Sequence, residues 1–312
     1  MATVPQPVRG APRPTRPGLT LAQKRTLWAW GALAVPLLFF LVVRILPTLV
    51  ALNMSFRQWD MLSPDKPWVG MANYQKLFKD PVFVRSLTNT FLYVVVGVPV
   101  QLILGLGVAL LIQRVNRFAG LFRTLYFIPY ITSAVAVAWV WRWMLQEHGG
   151  IFNELLHLVG IAPQKFLGSP TQALYSIVAA IVWQGLGFQM VIFLAGLEAI
   201  PTMFYEAAQL DGASPWQVFR HITLPLLNPT IVFSAIIGTI RYLQVFTEVL
   251  SMSNQGQGGP LNSTKTLVLF IYQEAFKSSK YGYAAAATVV LFLIILVLTV
   301  VQNKLITRKY EY

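Results

Sequence analysis

The 312-residue chain is 56% hydrophobic and 11% charged, has no cysteine, and has a mean hydropathy of +0.60. Soluble domains carry about 25% charged residues, so this composition excludes a water-soluble globule and equally a disordered chain. The missing cysteines exclude a disulfide framework, a thiolate metal site and a thiol nucleophile. The net charge of +13 lies in short stretches between long uncharged runs, which is the pattern of membrane topology rather than of a nucleic-acid-binding face.

Residues 1–26 hold five Lys/Arg, no acid, and Pro5, Pro7, Pro12, Pro14 and Pro17. They read as a disordered cytoplasmic tail. Six runs then approach or exceed the roughly 20 apolar residues that a spanning helix needs: Trp28–Pro47, Phe91–Ile112, Leu125–Trp141, Ala173–Leu197, Pro229–Phe246 and Tyr283–Val301. The first is too long for the core of a cleaved signal peptide and reads as an uncleaved span. Barrel strands would be about ten residues long and alternating. The chain is therefore predicted to be an all-α integral membrane protein, a six-transmembrane-helix bundle.

Orientation follows from the basic residues. Gln113–Arg123 contains Arg114, Arg117 and Arg123 with no acid, and the C-terminal tail adds Lys304, Arg308 and Lys309. Lys165 is the only Lys/Arg in Gln146–Gln172. Both termini are placed in the cytoplasm. The first outer loop, Ala51–Arg85, runs against this rule with five basic residues, partly offset by Asp60, Asp65 and Asp80.

Between the fourth and fifth spans, Glu198–Pro225 parses as two short helices. Thr202 is a candidate N-cap for a helix to Leu210, which Gly212 would end in a left-handed conformation. Ser214, Pro215 and Gln217 form an N-cap, first-position proline and capping box. Pro225 ends or bends the second helix, and Asn228-Pro229 opens the fifth span. Ala207, Ala208, Gly212 and Ala213 would let another backbone approach, with Glu206 and Asp211 adding negative charge. A capped surface loop packed on its own bundle and a docking knob for a cytoplasmic partner both fit these signals.

The string Glu206-Ala-Ala-x-x-Asp211-Gly-Ala213, followed by Phe219, Ile222 and Leu224-Pro225, resembles the EAA loop of ATP-binding-cassette importer permeases. Gly70–Phe83 with Asn89-Thr90, Leu194–Pro201, and Gly258-Gly-Pro260 with Ser263-Thr264 and Thr266-Leu267 are similar to sugar permeases of the maltose-transporter F type. The resemblance covers all but the proline-rich tail. Two departures, Thr247 where the family often has Asp and Met252–Gln257 where it has a Leu-Thr-Gly-Gly stretch, lie near the outer end of the path.

The resemblance implies a type I importer permease fold and a set of partners. These are a second permease of the maltose-transporter G type, two ATPase subunits, an extracytoplasmic solute-binding protein, a sugar or polyol substrate, and membrane lipid. It implies residence in a bacterial or archaeal cytoplasmic (inner) membrane. ATP and Mg would be bound by the partner ATPase and no cofactor by this chain. Glu206 would pair with a basic group of the ATPase, and the small residues, with Asp211, Phe219 and Pro225, would shape the coupling contact.

The chain has no Gly-Lys dipeptide, hence no Walker A loop, and no Gly-x-Ser-x-Gly elbow. His148, His157 and His221 are isolated, so no metal site is expected. For the path, Arg241, Gln244 and Glu248 would share one face of the fifth helix at i, i+3 and i+7, and Gln101 and Gln189 lie mid-span. Each has a plainer reading: polar glue between helices for the glutamines, and for Arg241 an ion pair with Glu248 or a partner subunit. Trp139, Trp141 and Trp143 fit an interfacial aromatic belt better than a binding stripe, and Gly97, Gly105 and Gly107 fit close helix packing. The rival function is an ion-coupled secondary sugar carrier, which usually needs an intramembrane carboxylate or broken helices. The six runs contain no Asp or Glu.

Overall fold

The computed structural model describes residues 20–61, 64–115 and 117–306. Most of the predicted tail and Lys309 lie outside them. Two compact units are distinguished, Met1–Val50 and Ala51–Tyr312.

Among the described residues the first long helix is α1 (Leu21–Ser55). It begins inside the stretch read as tail, because Thr20 and Gln23 form a reciprocal capping box. Pro47 has no N–H to offer the preceding turn, and the helix widens to a π turn over Leu41–Ile45 just before it. The same arrangement recurs at Pro225, described below.

The described residues of the second unit form helices and loops but no strand, only two isolated bridges. A short helix, α2 (Ala72–Lys79), leads into α3 (Pro81–Gln113). The latter starts ten residues before the predicted second span. Asp80 is its N-cap, accepting from the Val82 and Phe83 amides, with Pro81 at the first position. The other Asp80 oxygen accepts the Tyr283 hydroxyl at 2.9 Å, tying the start of α3 to that of α13 (Tyr281–Ile306).

The predicted third span, Leu125–Trp141, is not one helix. It is split into α4 (Ala119–Ile131) and α5 (Ala134–Met144), bent by 94°. The Thr132 carbonyl at the break accepts Gln184 Nε2 at 3.4 Å. After α6 (Ile151–Leu158) comes α7 (Ala173–Glu198), the most buried of the long apolar helices described. Its neighbours approach closely through glycine. Backbone of Tyr126 and Phe127 in α4 occupies the place a Cβ on Gly187 would need, and the Gln189 side chain lies in the space beside Gly105 of α3. Trp141 is packed against Phe152 and Trp183, whereas Trp139 and Trp143 are exposed, so only two of the three tryptophans suit a belt.

The predicted fifth span is also broken. Helix α9 (Pro215–Leu226) and α10 (Asn228–Leu243) meet at 64°, and α10 stops three residues short of Phe246. Val245 and Phe246 are non-helical, and α11 (Thr247–Met252) follows. Unpaired backbone is costly away from water, so irregular chain at membrane depth must be enclosed by protein. The loop before α12 (Leu267–Tyr272) does this. Thr266 Oγ1 donates to the Val245 carbonyl at 2.7 Å and accepts the Leu269 amide. Thr90 Oγ1 accepts the Leu267 amide at 2.8 Å, and Asn89 Nδ2 donates to the Asn262 and Lys265 carbonyls. Four long straight helices and two bent pairs thus correspond to the six predicted runs.

The glycine contacts make a paired prediction. At Gly187 an added methyl meets fixed backbone, and at Gly107 it meets nothing within 4 Å. Gly187→Ala should destabilise the detergent-solubilised protein by about 1–3 kcal/mol, while Gly107→Ala should be neutral or stabilising by about 0.5–1 kcal/mol. Thermal unfolding of the two variants beside the wild type measures both.

Candidate functional site

Two places concentrate the predicted functional residues. The first is the helix–turn–helix between α7 and α10. Helix α8 (Thr202–Leu210) has Pro201 rather than Thr202 at its N-cap, with no side-chain cap, so Thr202 is its first helical residue. Its C-terminus closes as a Schellman motif. The Ala213 amide bonds to the Ala208 carbonyl at 3.0 Å, the Gly212 amide bonds to the Gln209 carbonyl at 3.1 Å, and Gly212 has φ +69°. Ser214, Pro215 and Gln217 form the predicted capping box. A π turn over Phe219–Thr223 accommodates Pro225, and α9 stops one residue past it at Leu226, where the chain bends by 64°, in line with the expected end or bend there.

Glu206, Ala207, Asp211 and Gly212 are exposed, while Ala208 is buried against the chain itself. Of the four small residues, Ala208 therefore serves internal packing. Apolar side chains project from the same knob: Leu210 is 90% exposed, and Met203 and Trp216 are each 65% exposed. Phe219 is half-buried and stacks on Trp216 with centroids 5.5 Å apart. Beneath the knob a cavity of about 700 Å³ lies between Leu110, Gln113 and Arg114 of α3 and its neighbourhood and Tyr205, Trp216 and Phe219. Beside it Arg123 Nη2 and Glu198 Oε1 form an ion pair at 2.9 Å, linking α4 to α7.

The second place is a polar centre where α3, α4, α7 and α10 meet around Gly185. Tyr242 Oη donates to Gln101 Oε1 at 2.9 Å, and Gln101 Nε2 donates to the Gly185 carbonyl at 3.3 Å. Arg241 Nη1 lies 2.7 Å from where a Gly185 Cβ would stand, so a side chain there would have to displace the guanidinium. That guanidinium lies 5.7 Å from the Tyr130 ring centroid, and Tyr130 stacks on Phe188 at 4.7 Å. The Tyr242 ring fills the space beside Gly97.

The predicted one-face arrangement of Arg241, Gln244 and Glu248 does not hold. Helical periodicity ends at Leu243, Gln244 is exposed at the C-cap, and Glu248 belongs to the separate α11. Among the described residues no carboxylate forms an ion pair with Arg241, Glu248 included. Gln101 bridges three helices, in agreement with its plainer reading. Gln189 is buried with Nε2 unpartnered.

Residues 81–310 match the family described as the binding-protein-dependent transport system inner membrane component. The chain belongs to that family. It is 37% identical to the lactose transport system permease protein LacF of Rhizobium radiobacter, over 88% of this chain and 92% of that one. It is 34% identical to the trehalose/maltose transport system permease protein MalF of Thermococcus litoralis, over 85% and 88%. It is 36% identical to the probable ABC transporter permease protein YesP of Bacillus subtilis, over 90% and 91%. Among solved structures it resembles a chain of a bacterial ABC transporter that imports the acidic polysaccharide alginate. There the TM-score is 0.79, with 26% identity over 90% of this chain and 95% of that one.

In this transport-system component, sequence reasoning missed Tyr130, Gly185, Phe188 and Tyr242 at the polar centre, and Met203, Leu210 and Trp216 on the knob. The knob residues carried a readable signal, since large apolar side chains stood within a loop already parsed as cytoplasmic. The polar centre needed the crossing of helices distant in sequence. Its hydrogen bonds give a second prediction. Tyr242→Phe strands Gln101 Oε1 and should cost about 1–3 kcal/mol. The Gln101→Leu, Tyr242→Phe pair should cost less than the sum of the singles, as measured by thermal unfolding of the solubilised complex.

Proposed function

We propose that this chain is one of two permease subunits of an ATP-driven importer and forms, with a related G-type permease, the path for a sugar or polyol. The observation that carries the reading is the knob: a locally sealed turn on which Leu210, Met203 and Trp216 are exposed along with Glu206 and Asp211. A loop serving only its own bundle would bury those side chains. The names of the relatives supply the substrate class: lactose for one and trehalose or maltose for another. For the alginate importer an acidic polysaccharide is named, so the names leave the substrate's charge open.

In this reading a solute-binding protein delivers the sugar to the outer face, and two ATPase subunits bind ATP and Mg at the cytoplasmic face. Glu206 meets a basic group of an ATPase, Gly212 lets its surface come close, and Leu210 and Trp216 bury against it. Closure of the ATPase pair then moves α8 and α9, and through the bend at Leu227 it moves α10, which carries Arg241 and Tyr242. The stacked Tyr130–Phe188 pair offers rings to apolar sugar faces. The ion-coupled carrier finds no support in the family. Helices α3, α4, α5, α10 and α13 contain no Asp or Glu, and the only acid of α7 is Glu198 at its end.

Both termini lie in the cytoplasm in this reading. The chain has no cysteine, so single-cysteine variants report cleanly. Arg117→Cys should react with an impermeant maleimide only from the cytoplasmic side and Lys165→Cys only from outside. Labelling of both from one side would overturn the topology.

Coupling is tested at the turn. Gly212→Val places a β-branched residue at φ +69°, a penalty of about 1–2 kcal/mol, on the surface where the ATPase approaches. The variant should insert normally yet lose ATPase association or substrate-stimulated hydrolysis. Glu206→Lys should weaken association by charge repulsion, and added salt should relieve it in part. Wild-type transport by both variants would reduce the knob to a connector.

A further inference from the structure

The polar centre holds a cation with a buried N–H that no described residue satisfies. Arg241 lies in the last turn of α10, about 20 Å along the helix from its start at Asn228. Placing a cation at membrane depth costs at least about 2.5–3.5 kcal/mol. Such charges are normally paired, yet no carboxylate among the described residues pairs with this one. Its Nη1 atom is buried and has no hydrogen-bond partner. The surroundings hold the guanidinium in place. Gly185 leaves room for it, and the Tyr130 ring lies 5.7 Å from it. Gln101, which approaches the same spot, is already committed to Tyr242 and to the Gly185 carbonyl. A half-buried guanidinium with a free N–H, next to an aromatic pair, is a fork that recognises an oxyanion bidentately.

We propose that Arg241 reads a carboxylate on the transported saccharide, so that the substrate is an acidic sugar bearing a uronate. The inference rests on the importer reading above and narrows it. One guanidinium neutralises one carboxylate. A phosphate monoester carries nearly two charges at pH 7 and would enter with one uncompensated, in a site whose other groups are neutral amides and a phenol. The Tyr130 and Phe188 rings provide the apolar surface on which the pyranose face of such a sugar stacks.

The test uses the solubilised complex of this chain with its second permease and ATPase, and measures binding calorimetrically without the binding protein. The probes are a disaccharide carrying a single galacturonate, its methyl ester and a disaccharide phosphate. The wild type should bind the acid at least about tenfold more tightly than the ester, and the phosphate no more tightly than the ester. Arg241→Gln should bring acid and ester to equal affinity. Arg241→Lys should keep most of the preference.

Equal wild-type affinity for acid and ester would overturn the proposal, and tightest binding of the phosphate would replace the uronate with a phosphorylated sugar. Loss of the second permease from the Arg241→Gln complex, with no acid preference in the wild type, would assign the counter-ion to a carboxylate of that partner. If no probe binds although the complete system takes up a neutral sugar on ATP, the proposal fails and the importer reading stands. If the complete system takes up no saccharide at all, the importer reading itself fails.

Discussion

At membrane depth the chain has no water to complete its backbone hydrogen bonds, so every departure from the helix must be repaired by a side chain or a neighbouring carbonyl. The stop after Leu243 shows how much of the molecule is arranged to that end. Thr266 reaches Val245, Thr90 reaches Leu267, and Asn89 spans two carbonyls of the loop before α12. These contacts fix the N-terminal half of α3 against the loop between α11 and α12. They thereby fix the height at which Arg241 and Tyr242 face α7. The polar centre exists because the broken helix beside it is sealed.

Glycine sets the other boundary condition. Lateral attraction between helices in lipid comes from packing rather than from burial, and α7 obtains it by lacking side chains where its neighbours arrive. Gly187 receives the α4 backbone, and Gly185 receives Gln101 and Arg241. The same absence of a Cβ thus serves stability at one position and chemistry two residues earlier.

Much of this was readable from the chain. The six apolar runs, the capping box at Ser214 and the left-handed turn at Gly212 follow from local chemistry, because their causes lie within a few residues. The resemblance of Glu206–Ala213 to the EAA loop gave the family. What could not be read depends on contacts distant in sequence. Hydropathy alone cannot distinguish a straight span from the 94° pair of α4 and α5, since both halves are apolar. The i, i+3, i+7 spacing of Arg241, Gln244 and Glu248 presupposed a helix that stops at Leu243, where a threonine more than twenty residues away takes up the freed Val245 carbonyl. Ala208 looked like part of an outward face until the fold turned it inward.

The turn at Gly212 has a mechanical consequence. Its hydrogen bonds all close within six residues, and the helix that follows begins at once with its own cap, so the knob contains almost no compliant chain. A push at Leu210 has little slack to take up before the 64° elbow between α9 and α10. Two helical arms joined at that elbow have the geometry of a crank: a small displacement at the tip of the knob would become rotation of α10 about Leu227, sweeping the guanidinium near its far end through an arc.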